Sequence, residues 1–127
     1  MSAPLLLDTH VFLWWSLATE RLSARSREHL LAQPDDLRLS VASAWEIAIK
    51  RATGRLQVPD TLVERSLRTH GLSLLPIELA HCRRVAALPL HHRDPFDRML
   101  VAQALEEGLP LVSADARLDA YGVKRIW

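Results

Sequence analysis

A chain of 127 residues that is 49% hydrophobic is long enough to close one core and short for two, so a single domain over residues 1–127 is expected. Its 16 Lys and Arg against 15 Asp and Glu leave a net charge of +1, which excludes both a basic nucleic-acid coat and an acidic disordered tail. One cysteine, Cys82, excludes an internal disulfide framework and fits a reducing cytoplasm.

A buried thiol is the plain expectation for Cys82. Met1-Ser2-Ala3-Pro4 has no basic side chain, and Leu5-Leu6-Leu7 is cut by Asp8, so no secretory signal is read. The longest apolar run, Val11 to Trp15, is far short of the roughly 20 residues that cross a bilayer. The expectation is a cytoplasmic protein with no membrane partner.

In chain order, Leu5-Leu7 is apolar throughout, as a central parallel strand covered on both faces should be. Thr9-His10 lead into Val11 to Leu17, a helix apolar nearly all round and so expected to be buried. Ser23 caps a second helix through Leu30-Leu31, stopped by Pro34. Leu37 to Val41 reads as a strand. Ser43-Ala44-Trp45-Glu46 then matches a capping box and opens a helix that runs through Ile49 to Gly54.

Pro59-Asp60 opens a further helix toward Gly71. Leu72 to Ile77 can form only a short strand, because Pro76 has no donor for a ladder and suits an edge or a strand end. Glu78 to Leu88 is helical. Asp94-Pro95 pairs an N-cap with proline at the first helical position, and the helix they open ends at Gly108. Leu111-Ser113 and Val123-Ile126 are the last strands. Strands alternating with helices imply an α/β fold with a mostly parallel sheet and helices on both faces.

Four acids stand where such a fold would gather them. Asp8 closes the first strand, Glu46 follows the second, Asp97 opens the long helix and Asp115 follows Ser113. Parallel strands present their carboxyl ends at one edge, where the functional crevice lies. Like charges brought together there raise one another's pKa unless a hard divalent cation sits among them, the arrangement used in metal-dependent phosphodiester chemistry. Each acid also has a local use: Glu46 in its capping box, Asp97 behind Asp94, Asp115 in a turn. Asp8 is hardest to explain that way, since no partner is adjacent to it in sequence.

Four blocks resemble the motifs of PIN-domain proteins, in particular the VapC-like ribonuclease toxins. They are Leu5-Leu6-Leu7-Asp8-Thr9-His10, Ser40 to Lys50, His92 to Ala104 and Ser113-Ala114-Asp115. The resemblance runs from Leu5 to Trp127 and implies a three-layer α/β/α sandwich. It also implies Mg²⁺ or Mn²⁺ at the acidic cluster, endonucleolytic cleavage of RNA, a homodimer, and inhibition by a small cognate antitoxin. By position, Asp8, Glu46, Asp97 and Asp115 fall on the family's acids. Asp8 and Asp97 are the expected direct metal holders, with Thr9 and Ser113 as hydrogen-bonding supports.

Lys50, Arg93 and Arg98 stand near those acids and are candidate contacts to an RNA backbone, although Lys50 also suits an i,i+4 pair with Glu46. His91 and His92 with Asp94 lack the four N or S ligands of a zinc site and read as loop histidines near substrate. Trp14 and Trp45 are expected in the core, and Trp15 is left open. A receiver-like signalling domain would need a second acid directly beside Asp8, which Thr9 does not supply. A PIN-type nuclease acting in RNA processing or on DNA stays compatible with the same acids.

Overall fold

The first strand, β1 (Leu5–Leu7), sends its leucines alternately into two separate cores. The computed structural model describes residues 3–69 and 71–127. The other strands are β2 (Leu37–Ser40), β3 (Leu72–Leu75), β4 (Leu111–Val112) and β5 (Arg125–Ile126). All pair in parallel, in the order β3-β2-β1-β4-β5, with Leu5 beside Leu37 and Leu6 beside Leu111. The helices are α1 (Thr9–Leu17), α2 (Ala24–Ala32), α3 (Val41–Ala52), α4 (Leu62–Thr69), α5 (Leu79–Ala87) and α6 (Pro95–Glu107). Short 3-10 turns span Thr19–Arg21 and Ala116–Tyr121.

On one face of the sheet Leu5 and Leu7 join Phe12, Leu30, Ile47 and Leu62 from the first four helices. On the other, Leu6 joins Leu100, Val101 and Ala104 of α6 and Leu118 and Tyr121 of the second 3-10 turn. A strand buried on both faces must be apolar at every position, which accounts for Leu5-Leu6-Leu7. The result is the expected three-layer α/β/α sandwich. Among the described residues no helix is long and apolar enough to cross a membrane.

Gly71, just before β3, sits at φ +61°, and a Cβ there would lie 2.5 Å from the Pro34 carbonyl oxygen and 3.0 Å from Asp35 Cα. Gly71→Ala is expected to lose about 1–2 kcal/mol to left-handed backbone and about 1–3 kcal/mol more to the overlap. Gly108, at φ +66° with open space around it, should lose only the backbone part when changed to Ala. Urea unfolding midpoints of the two variants measure the difference.

Several expectations are corrected. β2 passes straight into α3, so Val41 is helical and Ser40, whose Oγ accepts from the Ala42 N–H at 3.0 Å, is the cap. Ser43 is therefore inside the helix and fully buried, no capping box with Glu46 forms, and Glu46 lies in the second turn. Extending the helix backward by three residues takes the buried Ala42 and Ser43 into its first turn. Trp45 then points outward, 60% exposed, with Phe96 edge-on against it at 5.3 Å.

α1 is not buried all round. Val11 and Phe12 are buried, Leu13, Trp14 and Trp15 are half-buried, and Leu17 is exposed. Trp14 lies at the core's margin against Trp127 rather than within it. Cys82 is exposed, because the α5 position that faces inward is taken by His81. Proline 76 does follow a strand at the sheet's edge, as its missing donor requires.

Candidate metal and active site

Strand order reverses between β1 and β4: the chain builds β2 and β3 outward on one side of β1 and β4 and β5 on the other. Crevices open at such points beyond the strands' carboxyl ends. Asp8 follows β1 and Asp115 follows β4, while α6 brings Asp97 in its first turn. Together with His10, His92 and Arg117 they line one open cavity of about 360 Å³.

Local capping and convergence turn out not to compete. Asp8 is the N-cap of α1, its Oδ1 accepting from the His10 N–H at 3.0 Å, and Oδ2 accepts from Ser113 Oγ at 2.7 Å. Asp115 caps the second 3-10 turn through the Arg117 N–H. Asp94, the N-cap of α6, accepts from the Phe96 and Asp97 N–H groups, leaving the Asp97 carboxylate free to face the cavity. Helix N-termini favour negative charge, so the fold aims several of them at one place.

Burial pushes the Asp8 carboxyl up, against the opposing pull of Ser113 and the His10 N–H. Asp97 is pushed up to about 7, first by burial and then by the charges of Asp8, Asp94, Glu46 and Asp115. Asp115 goes the other way, to about 2, because Arg117 grips it with Nε and one terminal nitrogen, each at 2.9 Å. Asp97, Asp115 and His92 bring possible ligand atoms within 4.8 Å of one another, and the crowded carboxylates suit a hard divalent cation such as Mg²⁺ or Mn²⁺.

Glu46 is buried in α3, and its charge is felt at both Asp8 and Asp97. Lys50 Nζ meets Glu46 Oε2 at 2.8 Å, so the i,i+4 pair forms and the ammonium is engaged. Thr9 spends its hydroxyl on Ser43 Oγ at 2.8 Å and not on a carboxylate. Ser113 does bridge the site, donating to Asp8 and accepting from the Asp115 N–H.

Arg93 is exposed. Arg98 turns away from the cavity: its guanidinium donates to the carbonyls of Pro89 and Val85 at 3.0 and 3.1 Å, with longer contacts to Leu88 and the Tyr121 hydroxyl. This geometry supports a structural role for Arg98, tying the last turn of α5 and the segment after it to α6, in place of the RNA contact expected from sequence. His92, read only as a loop histidine, lies with Nε2 between Asp97 and Asp115. Its signals in the sequence were its place two residues before the Asp94 cap and at the head of the block that runs to Ala104.

Residues 5–124 match the PIN domain family. The chain is 31% identical over 119 residues to Ribonuclease VapC22 of Mycobacterium tuberculosis (strain ATCC 25618 / H37Rv), covering 91% of this chain and 90% of that protein. Its fold is similar to DNA-bound VapBC from Salmonella typhimurium, with a TM-score of 0.70 at 14% identity, covering 97% of this chain and 96% of the other. VapBC2 from Rickettsia felis, bound to a fragment of its promoter, gives 0.71 at 9% identity, over 97% and 98% of the two chains. A toxin-antitoxin complex from Klebsiella pneumoniae gives 0.67 at 16% identity, over 99% and 97%. With the family matched over nearly its whole length, the chain belongs to the PIN domain family.

Proposed function

We propose that the chain is a Mg²⁺- or Mn²⁺-dependent endoribonuclease and the toxin of a toxin–antitoxin pair. The supporting observation is the convergence of Asp8, Asp97 and Asp115, from three separate elements, on one cavity at the sheet's reversal point. The ribonuclease name of the Mycobacterium tuberculosis relative and the toxin-antitoxin complexes among the structural neighbours favour the same reading.

In this reading Asp8 and Asp97 hold the cation, with Glu46 and Asp115 contributing directly or through water. A bound divalent ion supplies an activated water and neutralises charge growing on the phosphate oxygens. Ser113 keeps the Asp8 carboxylate turned toward the cavity by occupying Oδ2. Arg117, exposed at the rim beside Asp115, would supply a cation to a substrate phosphate.

In the same reading a small cognate antitoxin seats beside this cavity. A groove of about 410 Å³ between α1 and α3, lined by Leu13, Trp14, Leu17, Ile47 and Leu56, shares His10 and Trp14 with the acidic cavity. A homodimer belongs to the same reading, and its mass in solution tests it.

The deciding experiment incubates the purified protein with total RNA and Mg²⁺ or Mn²⁺ and maps the cleavage ends. Water attack leaves 5′-phosphate and 3′-hydroxyl ends, and chelation should stop it. Cleavage that survives EDTA and leaves 2′,3′-cyclic phosphates would overturn the metal mechanism.

A further inference from the structure

The His92 side chain is only 9% exposed, and its Nε2 is buried without a hydrogen-bond partner among the described residues. That atom stands 3.4 Å from Asp97 Oδ2 and 3.3 Å from Asp115 Oδ2. The ring is held from behind: Nδ1 accepts from the Asp94 N–H at 3.1 Å, and the His92 N–H donates to the Tyr121 hydroxyl at 2.8 Å. A buried imidazole is thus fixed in place and aimed between two carboxylates that come from different elements.

Its distances to both acids invite a reading as a third metal ligand, but the hydrogen bond at the other end of the ring argues against it. A ring nitrogen that accepts an N–H bond keeps its lone pair, so the proton of the imidazole is on Nε2. A protonated nitrogen has no lone pair for a cation. Histidine ligands show the reverse arrangement, donating from the nitrogen that does not touch the metal. Seated as it is, His92 can only donate toward the cavity.

We propose that His92 is a positioning residue of the cation site: its Nε2–H, fixed by the Asp94 main chain, holds Asp97 of α6 and the Asp115 carboxylate at a common distance so that both face one ion. The proposal rests on the metal-dependent reading given above. The need for such a donor follows from the architecture. Asp97 and Asp115 sit on separate elements and carry like charge, so a donor between them offsets the repulsion that their packing brings about. Arg117, the other donor to Asp115, is exposed at the rim and is not among the side chains that bond Asp97.

The test measures Mn²⁺ affinity by the loss of free-ion electron paramagnetic resonance signal, with metal-free melting as a check on folding. His92→Ala should weaken Mn²⁺ binding about 10- to 100-fold, the usual effect of losing a support behind a metal site. His92→Gln, whose amide N–H reaches close to the Nε2 position, should recover affinity to within about threefold of the wild type. Pulsed spectra of the wild-type Mn²⁺ complex should show no coupling to a histidine nitrogen, a result that needs no variant to fold.

Equal Mn²⁺ affinity in wild type and His92→Ala would overturn the positioning role while leaving the metal site intact. A failure of His92→Gln to recover affinity would overturn the donor role. A nitrogen coupling in the wild type that is absent from His92→Gln would make His92 a ligand and overturn the proposal in that way. Absence of any Mn²⁺ binding by the wild type would overturn the metal reading itself and this inference with it.

Discussion

Asp97→Asn should raise the metal-free melting temperature at pH 8 by several degrees while abolishing the stabilisation that Mn²⁺ adds and lowering RNA cleavage by at least about a hundredfold. The sign is unusual for a site substitution and follows from the electrostatics. Asp97 is crowded by Asp8, Asp94, Glu46 and Asp115, so its ionised form is disfavoured in the folded protein without a cation. Asparagine keeps the shape and removes the charge. Its neighbours then repel less, but the ion loses a carboxylate. Differential scanning calorimetry with EDTA and with Mn²⁺, beside a cleavage assay, separates these effects.

Asp119→Asn is the matched control. Asp119 lies outside the cavity, exposed, with Arg125 Nε at 2.7 Å. Its loss should leave both the Mn²⁺ shift and cleavage unchanged. If Asp97→Asn instead lowers metal-free stability, as loss of a purely structural acid would, the shared-cation reading fails.

The second large effect is in pH. Asp97 has its carboxyl raised from an ordinary value of 3.8 to about 7, and Asp8 is raised as well. A raised acid binds its proton more tightly in the folded state than in the unfolded one. The stability this contributes is fully present below about pH 4, the unfolded range, and is lost as pH rises through about 7. In EDTA the wild type should therefore melt higher at pH 5 than at pH 8. Asp115, lowered to about 2, loses its contribution only as pH falls through that value, outside this window.

Mn²⁺ should reverse the slope, because a cation at this site would favour the ionised carboxylates and its stabilisation would grow as Asp97 deprotonates. Subtracting the Asp97→Asn profile from that of the wild type isolates the contribution of this one carboxyl. Identical EDTA profiles for the two proteins would refute the shifted carboxyl.

Much of the fold was legible because its signals are local. Asp94-Pro95 starts α6 where an N-cap followed by proline must, and Ser23 caps α2 through the Ser26 N–H. The unbroken Leu5-Leu6-Leu7 announced a strand covered on both faces. Local signals misled where two caps were in competition. Ser40 and Ser43 are both good cap residues, and the folded chain uses Ser40, with Ser43 buried inside the helix. That choice also moved Trp45 from the expected core to the surface.

The acids were legible in kind because a carboxylate at the end of an apolar strand, or in the first turn of a helix, is recognisable from its neighbours alone. Their company was not. Arg98 adjoins Asp97 in the chain, yet a helix sends successive side chains about 100° apart, and Arg98 reaches the Pro89 and Val85 carbonyls instead of the cavity. His92 lies five residues before Asp97 and more than twenty before Asp115, and only folding puts its Nε2 near both.

By itself the amino-acid order determined the alternation of strands and helices, the parallel sheet and which acids stand at strand ends, because capping, proline geometry and apolar runs act over a few residues. The tertiary structure alone decided that Ser113 holds Asp8 and that His92 stands between Asp97 and Asp115. Those contacts join residues from separate elements, and their geometry is set by the stacking of helices on a sheet whose order reverses beside β1.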